Sequence, residues 1–179
     1  MCDIRAGDFL EYDFRSEPIE FKDHFRILQW NIERGYKLNN VLSILKNLDA
    51  DILCLQELDI YCKRSGNCDI AKIIAKELKL KCVFVAEFQE IESDVRNSST
   101  QGGGVHGNAI FSKYNFNFWS ISHKYQPFDW NKDGLLKKEP RIGNRNTIAA
   151  EIYLKNQSLI CYSAHLEVFT GIFGRVMHE

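Results

Sequence analysis

Hydrophobic and polar positions fall into blocks whose period changes along the chain. Phe25-Arg26-Ile27-Leu28-Gln29-Trp30-Asn31-Ile32 is a short run of strand type, and Leu38, Val41, Leu42, Leu45 and Leu48 then recur at helical spacing on one face. Asp49-Ala50-Asp51 interrupts that stripe. Ile52-Leu53-Cys54-Leu55 follows as an unbroken apolar run, the pattern of a strand covered on both faces. Asp69 is placed to cap a second helix carrying Ile70, Ile73, Ile74 and Leu78, and Cys82 to Phe88 reads as the next strand. The order up to Phe88 is β-α-β-α-β.

Asn97 to Gly104 is polar and glycine-rich, which predicts a flexible loop. Beyond it Asn108 to Ser112, Phe116 to Ser122, Thr147 to Leu154 and Leu159 to Leu166 read as strands with little room for helices between them. Lys155-Asn156-Gln157-Ser158 joins the last two as a hairpin-length turn. Early β-α units followed by antiparallel strands predict an α/β (α+β) fold with a mixed sheet and helices on one face. Residues 1–24 have no sustained periodicity and are expected to form an extended arm or edge strand ahead of a domain over residues 25–179.

Composition narrows the class. The 179 residues suffice for one domain with its own core, and 45% hydrophobic with 26% charged residues is a globular balance. No apolar run approaches the ~20 residues that span a bilayer, and no apolar leader core follows Met1-Cys2-Asp3-Ile4-Arg5. Cys54 and Cys161 sit inside strand-like runs and Cys82 opens another, so the six cysteines read as reduced thiols of a cytoplasmic or nuclear protein. Cys62 and Cys68 lack a second pair at zinc-site spacing. A net charge of −1 supplies no general field to gather nucleic acid. The nearest basic cluster is Lys137, Lys138, Arg141 and Arg145, a pattern shared with solvated loops.

Chemistry is expected where polar residues close apolar strands, since α/β sheets commonly bind ligands at such ends. Asn31 and Glu33 close the first strand, Glu57 the second and His165 the last. If these strands are neighbours, an amide, carboxylates and an imidazole share one rim. That set suits an oxygen-ligated magnesium ion acting on a phosphate ester.

Four segments carry a resemblance: Trp30-Asn31-Ile32; Asp49-Ala50-Asp51-Ile52-Leu53-Cys54-Leu55-Gln56-Glu57; Gly107-Asn108-Ala109-Ile110-Phe111-Ser112; and Ser163-Ala164-His165-Leu166-Glu167. In kind and order they resemble successive motifs of the endonuclease/exonuclease/phosphatase superfamily. The resemblance implies part of a four-layered α/β sandwich with mixed, largely antiparallel sheets, and a Mg²⁺-dependent phosphoesterase, Mn²⁺ being an alternative ion. It implies that Glu57 binds the metal, with Glu33 a further metal or water contact. Asn31 and His165 would be catalytic, at the phosphate or a metal-bound water. Asn108 would orient neighbouring groups at the substrate, and Arg141 and Arg145 would bind phosphate through bidentate hydrogen bonds. The implied substrate is a phosphoester of nucleic acid, an inositol phosphate or a phospholipid head group. Arg64-Ser65-Gly66 and Glu87-Phe88-Gln89-Glu90 also resemble segments of small superfamily members and are candidates for shaping substrate choice.

The superfamily's later Gly-Asp-Phe-Asn and Asp-His motifs do not follow His165, and Gly7-Asp8-Phe9-Leu10 stands on the wrong side of the first strand to replace them. The expectation is a C-terminally incomplete domain, inactive by itself, with a helix beginning near Gly174. The alternative is a catalytically dead module that binds a phosphorylated ligand or a protein.

Overall fold

The computed structural model describes residues 3–16 and 20–169, and the expected helix near Gly174 lies outside them. The elements run β1 (Phe9–Asp13), β2 (Ile27–Asn31), α1 (Leu38–Leu48), β3 (Ile52–Ile60), α2 (Ile70–Leu78), β4 (Lys81–Glu90), β5 (Val105–Ser112), β6 (Phe116–Ser122), α3 (Trp130–Asp133), β7 (Arg141–Gly143), β8 (Asn146–Tyr153) and β9 (Ser158–Ala164). Among the described residues they build two sheets, the mixed, largely antiparallel α/β arrangement that the resemblance implied, where the hydrophobic pattern alone suggested one sheet. The six-stranded sheet has the order β1-β4-β5-β3-β2, with β7 also on β4, and the three-stranded sheet has the order β6-β8-β9. Among the described residues only β2 and β3 pair in parallel.

Helices α1 and α2 cover one face of the larger sheet. Val41 and Leu45 of α1 and Ile70, Ala71, Ile74 and Ala75 of α2 pack there on Leu53, Leu55, Leu58, Phe84 and Phe111. Each fully buried large aliphatic side chain contributes roughly 1.5–3 kcal/mol. Asp69 caps α2 by accepting from the Lys72 amide at 2.8 Å, and it also accepts from the Tyr12 hydroxyl, which ties β1 to the helix layer. The segment expected as an arm or edge strand thus contributes β1, an edge strand on β4. The other face of the sheet packs on β6, β8 and β9 through Ile52, Cys54, Val83, Val85, Ile110, Ile148, Ala150, Ile152 and Cys161. Layers on both sides explain the unbroken apolar run of β3.

Two features of the central strands shape the site. The β3–β5 register shifts between Leu55 and Leu58, so a bulge holds Gln56 and Glu57 while both leucines still face the helices. Gly107, between the bulged parts of β3 and β4, admits no side chain, because a Cβ there would lie 1.9 Å from the Val85 carbonyl oxygen. The polar loop expected over residues 97–104 is present and tied down: Arg96 reaches the Thr100 carbonyl at 2.7 Å, and Gln101 bonds both ways with Ser93.

Candidate functional site

The strand ends meet, although only those of β2 and β3 are sheet neighbours. Asn31 pairs with Gln56 at the end of the parallel β2–β3 ladder, and Glu57 follows on the bulge with φ of 58°. Strand β9 belongs to the other sheet. It docks face-on where Gln56 Nε2 donates to Ser163 Oγ at 2.7 Å and Ser163 Oγ donates to the Leu55 carbonyl at 3.1 Å. Two residues on, His165 Nε2 lies 3.5 Å from Glu57 Oε1, with the two side chains 20% and 19% exposed.

Some of the left-handed backbone of the chain lies here. Besides Glu57, Glu33 and Arg34 adopt positive φ of 51° and 59°, and Gly35 follows at 70°. A non-glycine residue held in this region costs of order 1–3 kcal/mol, and such strain clusters at functional sites. Glycine suits the positive φ of Gly35, and a Cβ there would also push on the movable end of Ile70, whose Cδ1 would lie 2.5 Å away.

Electrostatics set the protonation states. Burial pushes the Glu57 pKa upward, but the charge of His106, the hydrogen bond from Asn31 and the charges of His165 and Arg34 outweigh it and hold the carboxyl below its usual value. Burial and then the Arg145 charge push His165 down to about 4, against the opposing pull of Glu57. At neutral pH a carboxylate therefore faces a neutral imidazole. Asn31 Oδ1 accepts from the Glu33 amide at 3.0 Å, which leaves its NH₂ as the part able to donate toward Glu57.

Asn108 is fully buried on β5 beside the bulge, and both its amide atoms lack a hydrogen-bond partner among the described residues. Each such atom costs about 1–3 kcal/mol unless a polar group meets it. Glu33 stands exposed beyond Asn31, and among the described residues no hydrogen bond or ion pair joins its side chain to Glu57.

The solvated-loop reading of Arg141 and Arg145 is corrected: each is only 4% exposed. Arg141 reaches Glu90 at 3.2 Å and also Glu139, and its guanidinium carbon lies 4.3 Å from the Trp130 ring centroid. Arg145 Nη1 donates to Glu87 Oε2 at 2.9 Å and lies 2.9 Å from His165 Nδ1. Both arginines are engaged from below the rim by acids that their place in a basic run did not reveal.

Sequence reasoning also missed the size of the charged layer beneath. Arg64 donates to both oxygens of Asp59 at 2.7 and 2.9 Å and to Glu90 at 3.2 Å. Glu90 takes Arg96 as well, at 2.5 Å, and His106 Nδ1 lies 2.8 Å from Asp59 Oδ1. Burial would raise the Asp59 pKa, but Arg64 and His106 hold it well below the carboxylate range. The available signal was Asp59, Glu87 and Glu90 embedded in apolar strand runs, since buried charges demand partners. Arg34 was missed too. It bonds Tyr36 Oη at 3.0 Å and Glu139 at 3.2 Å, and it is a partly exposed cation close enough to influence Glu57.

An ionised carboxylate beside amide and imidazole donors fits a magnesium ion, which takes one or two carboxylates and completes its octahedron with water and phosphate. Among the described residues no three His, Cys, Asp or Glu side chains converge into an all-protein metal cage. No helix among them is long and apolar enough to cross a membrane.

Similarity to known proteins bears on the family and the fold. The sequence profile described as the Endonuclease/Exonuclease/phosphatase family matches residues 28–168. A protein of Vairimorpha ceranae (strain BRL01), described as the probable CCR4-Not complex 3'-5'-exoribonuclease subunit Ccr4, is 26% identical over 146 residues, covering 76% of this chain and 29% of that protein. The crystal structure of an endonuclease/exonuclease/phosphatase from Beutenbergia cavernae DSM 12333 superposes with a TM-score of 0.57 at 13% identity, over 82% of this chain and 39% of that one, and so shares the fold. Humanized D. rerio TDP2 superposes with a TM-score of only 0.40 at 17% identity, over 79% of this chain and 46% of that one. The chain thus spans less than half the length of each of these proteins.

Proposed function

The chain belongs to the endonuclease/exonuclease/phosphatase family, and on that premise we propose that the rim formed by Asn31, Glu57 and His165 is part of a metal-dependent phosphoester hydrolase site. The observation that carries the reading is the ionised Glu57 carboxylate on a strained bulge, with the Asn31 amide and His165 imidazole directed to it from β2 and from the opposite sheet. Glu57 would hold Mg²⁺ or Mn²⁺, with Glu33 as a further water-mediated contact. When bound, the ion supplies Lewis-acid stabilisation of a phosphoryl oxygen. The protein's own groups then have separate tasks. The Asn31 NH₂ donates to a phosphate oxygen or to water, the His165 Nε2–H donates to a phosphate oxygen, and Asn108 orients polar groups over the bulge. Arg141 and Arg145 act from beneath, and Arg34 replaces them as the direct phosphate contact.

RNA phosphodiesters are the substrate class to test first, because the Vairimorpha ceranae relative is described as an exoribonuclease; inositol phosphates and phospholipid head groups come next. The reading carries with it a cytoplasmic or nuclear location. We further propose that the 179-residue chain binds phosphoesters but turns them over slowly. Glu57 is committed to the metal, and the loss of a water-activating base removes about 10²–10⁴ in rate. Fluorescence anisotropy with a labelled oligoribonucleotide in Mg²⁺ tests the site. Binding should weaken in both Asn31→Ala and His165→Ala, and equal binding by both variants would remove this rim from consideration.

A further inference from the structure

We propose that Arg145 is a positioning residue, which fixes His165 as the neutral tautomer bearing its proton on Nε2 and so makes it a hydrogen-bond donor at the rim rather than a base. The guanidinium that faces the ring determines the tautomer. On one side of the ring Nδ1 lies 2.9 Å from Arg145 Nη1. A guanidinium carries only donors, so Nδ1 must be the unprotonated acceptor. On the other side Nε2 lies 3.5 Å from Glu57 Oε1. With Nδ1 taken as the acceptor, a neutral ring carries its proton on Nε2, the nitrogen that faces the rim. A second proton on Nδ1 would set one N–H against another, with two positive charges in contact.

The guanidinium is anchored on the side away from the ring. Nη1 also donates to Glu87 Oε2 at 2.9 Å, and the other Glu87 oxygen accepts from the Asn146 amide at 3.1 Å. Nε lies 3.6 Å from Glu167 Oε2, an oxygen that itself accepts from Trp130 Nε1 at 2.5 Å. The Arg145 guanidinium carbon lies 5.1 Å from the Phe88 ring centroid. Arg145, Glu87 and Glu167 are 4%, 1% and 1% exposed, so water offers little competition for these contacts. Glu87 anchors the guanidinium by a hydrogen bond with Glu167 close by, and the guanidinium orients the imidazole. Arg145 therefore serves the site without touching phosphate. A neutral imidazole with its proton on Nε2 can donate to a phosphoryl oxygen at that nitrogen but cannot take a proton from water there, so water activation falls to another group.

This assignment rests on the proposed phosphate site for its purpose, but not for its test. The 179-residue chain labelled with ¹⁵N-histidine is examined at neutral pH by multiple-bond ¹H–¹⁵N correlation, with His165 assigned from the signals lost in His165→Gln. We expect the pattern of a fixed Nε2–H tautomer. An Nδ1–H tautomer, an imidazolium or a rapid average of tautomers would overturn the proposal. Because Arg145→Gln alone leaves Glu87 buried and unpaired, the companion variant is Arg145→Gln with Glu87→Gln. It should shift His165 toward the tautomer average, and a tautomer still fixed at Nε2–H would remove Arg145 from the role. Inorganic phosphate with Mg²⁺ is then added to the unsubstituted chain. A shift of the Nε2 resonance is expected, whereas an unmoved resonance with the tautomer intact would sink the phosphate reading of the rim and leave the Arg145–His165 relation standing.

Discussion

Replacing Arg64 by methionine probes the charged layer beneath the rim, and its cost can be worked out from the contacts. The Arg64 side chain is 0% exposed and makes two hydrogen bonds to Asp59 and one to Glu90. Removing one member of a buried ion pair typically costs ~3–5 kcal/mol, because the other charge is left uncompensated. Here the strandings are partial: Asp59 keeps His106, and Glu90 keeps Arg96 and Arg141. We therefore expect Arg64→Met to cost ~3 kcal/mol, the lower end of that range. Arg64→Met combined with Asp59→Asn removes both charges and should be less destabilised than Arg64→Met alone. Urea unfolding followed by circular dichroism measures both. The acid limb gives a second readout. The Asp59 pKa is depressed in the folded chain, so the unfolded chain binds more protons below about pH 4 and stability falls as pH drops through that window. Arg64→Met brings the folded pKa back toward its ordinary value, so its stability should fall less on acidification. A loss below ~1 kcal/mol in Arg64→Met, a double variant no better than the single one, or an unchanged acid limb would refute the reasoning.

Gly107→Ala should sharply lower soluble yield and thermal midpoint, since its Cβ would lie 1.9 Å from a backbone oxygen of the adjacent central strand; a midpoint within a few degrees of the unsubstituted chain would show that β4 and β5 can move apart. Arg34→Gln should leave the thermal midpoint almost unchanged, because its partly exposed pair with Glu139 is worth about 0–1 kcal/mol. The same variant should weaken oligoribonucleotide binding several-fold by anisotropy, and unchanged affinity would remove Arg34 from the phosphate contacts.

Much of this arrangement was legible in the sequence because it rests on local pattern. The leucine stripe of α1, the Asp69 cap of α2, the apolar run of β3 and the β8–β9 hairpin follow from period and turn chemistry. Strand-end polarity brought Asn31, Glu57 and His165 forward. What stayed hidden depends on partners distant in the chain. Nothing in Leu159 to Leu166 says that β9 lies in a second sheet, because inward alternation looks the same whichever layer it faces. Strand β7 has only three residues, too few for a period. The bulge at Glu57 carries no glycine to mark its positive φ. Arg141 and Arg145 read as a solvated run because their counter-charges, Glu90 and Glu87, lie 51 and 58 positions earlier.

The central claim is that Glu57 is the metal-binding carboxylate of this rim, and calorimetric titration of Mg²⁺ and Mn²⁺ tests it most directly. The 179-residue chain, Glu57→Gln and Glu33→Gln are compared at neutral pH, with thermal midpoints confirming that each is folded. The account predicts weak but measurable binding, a loss of at least about tenfold, or roughly 1.4 kcal/mol, in Glu57→Gln, and a smaller loss in Glu33→Gln. Equal affinity in Glu57→Gln and the unsubstituted chain would contradict it.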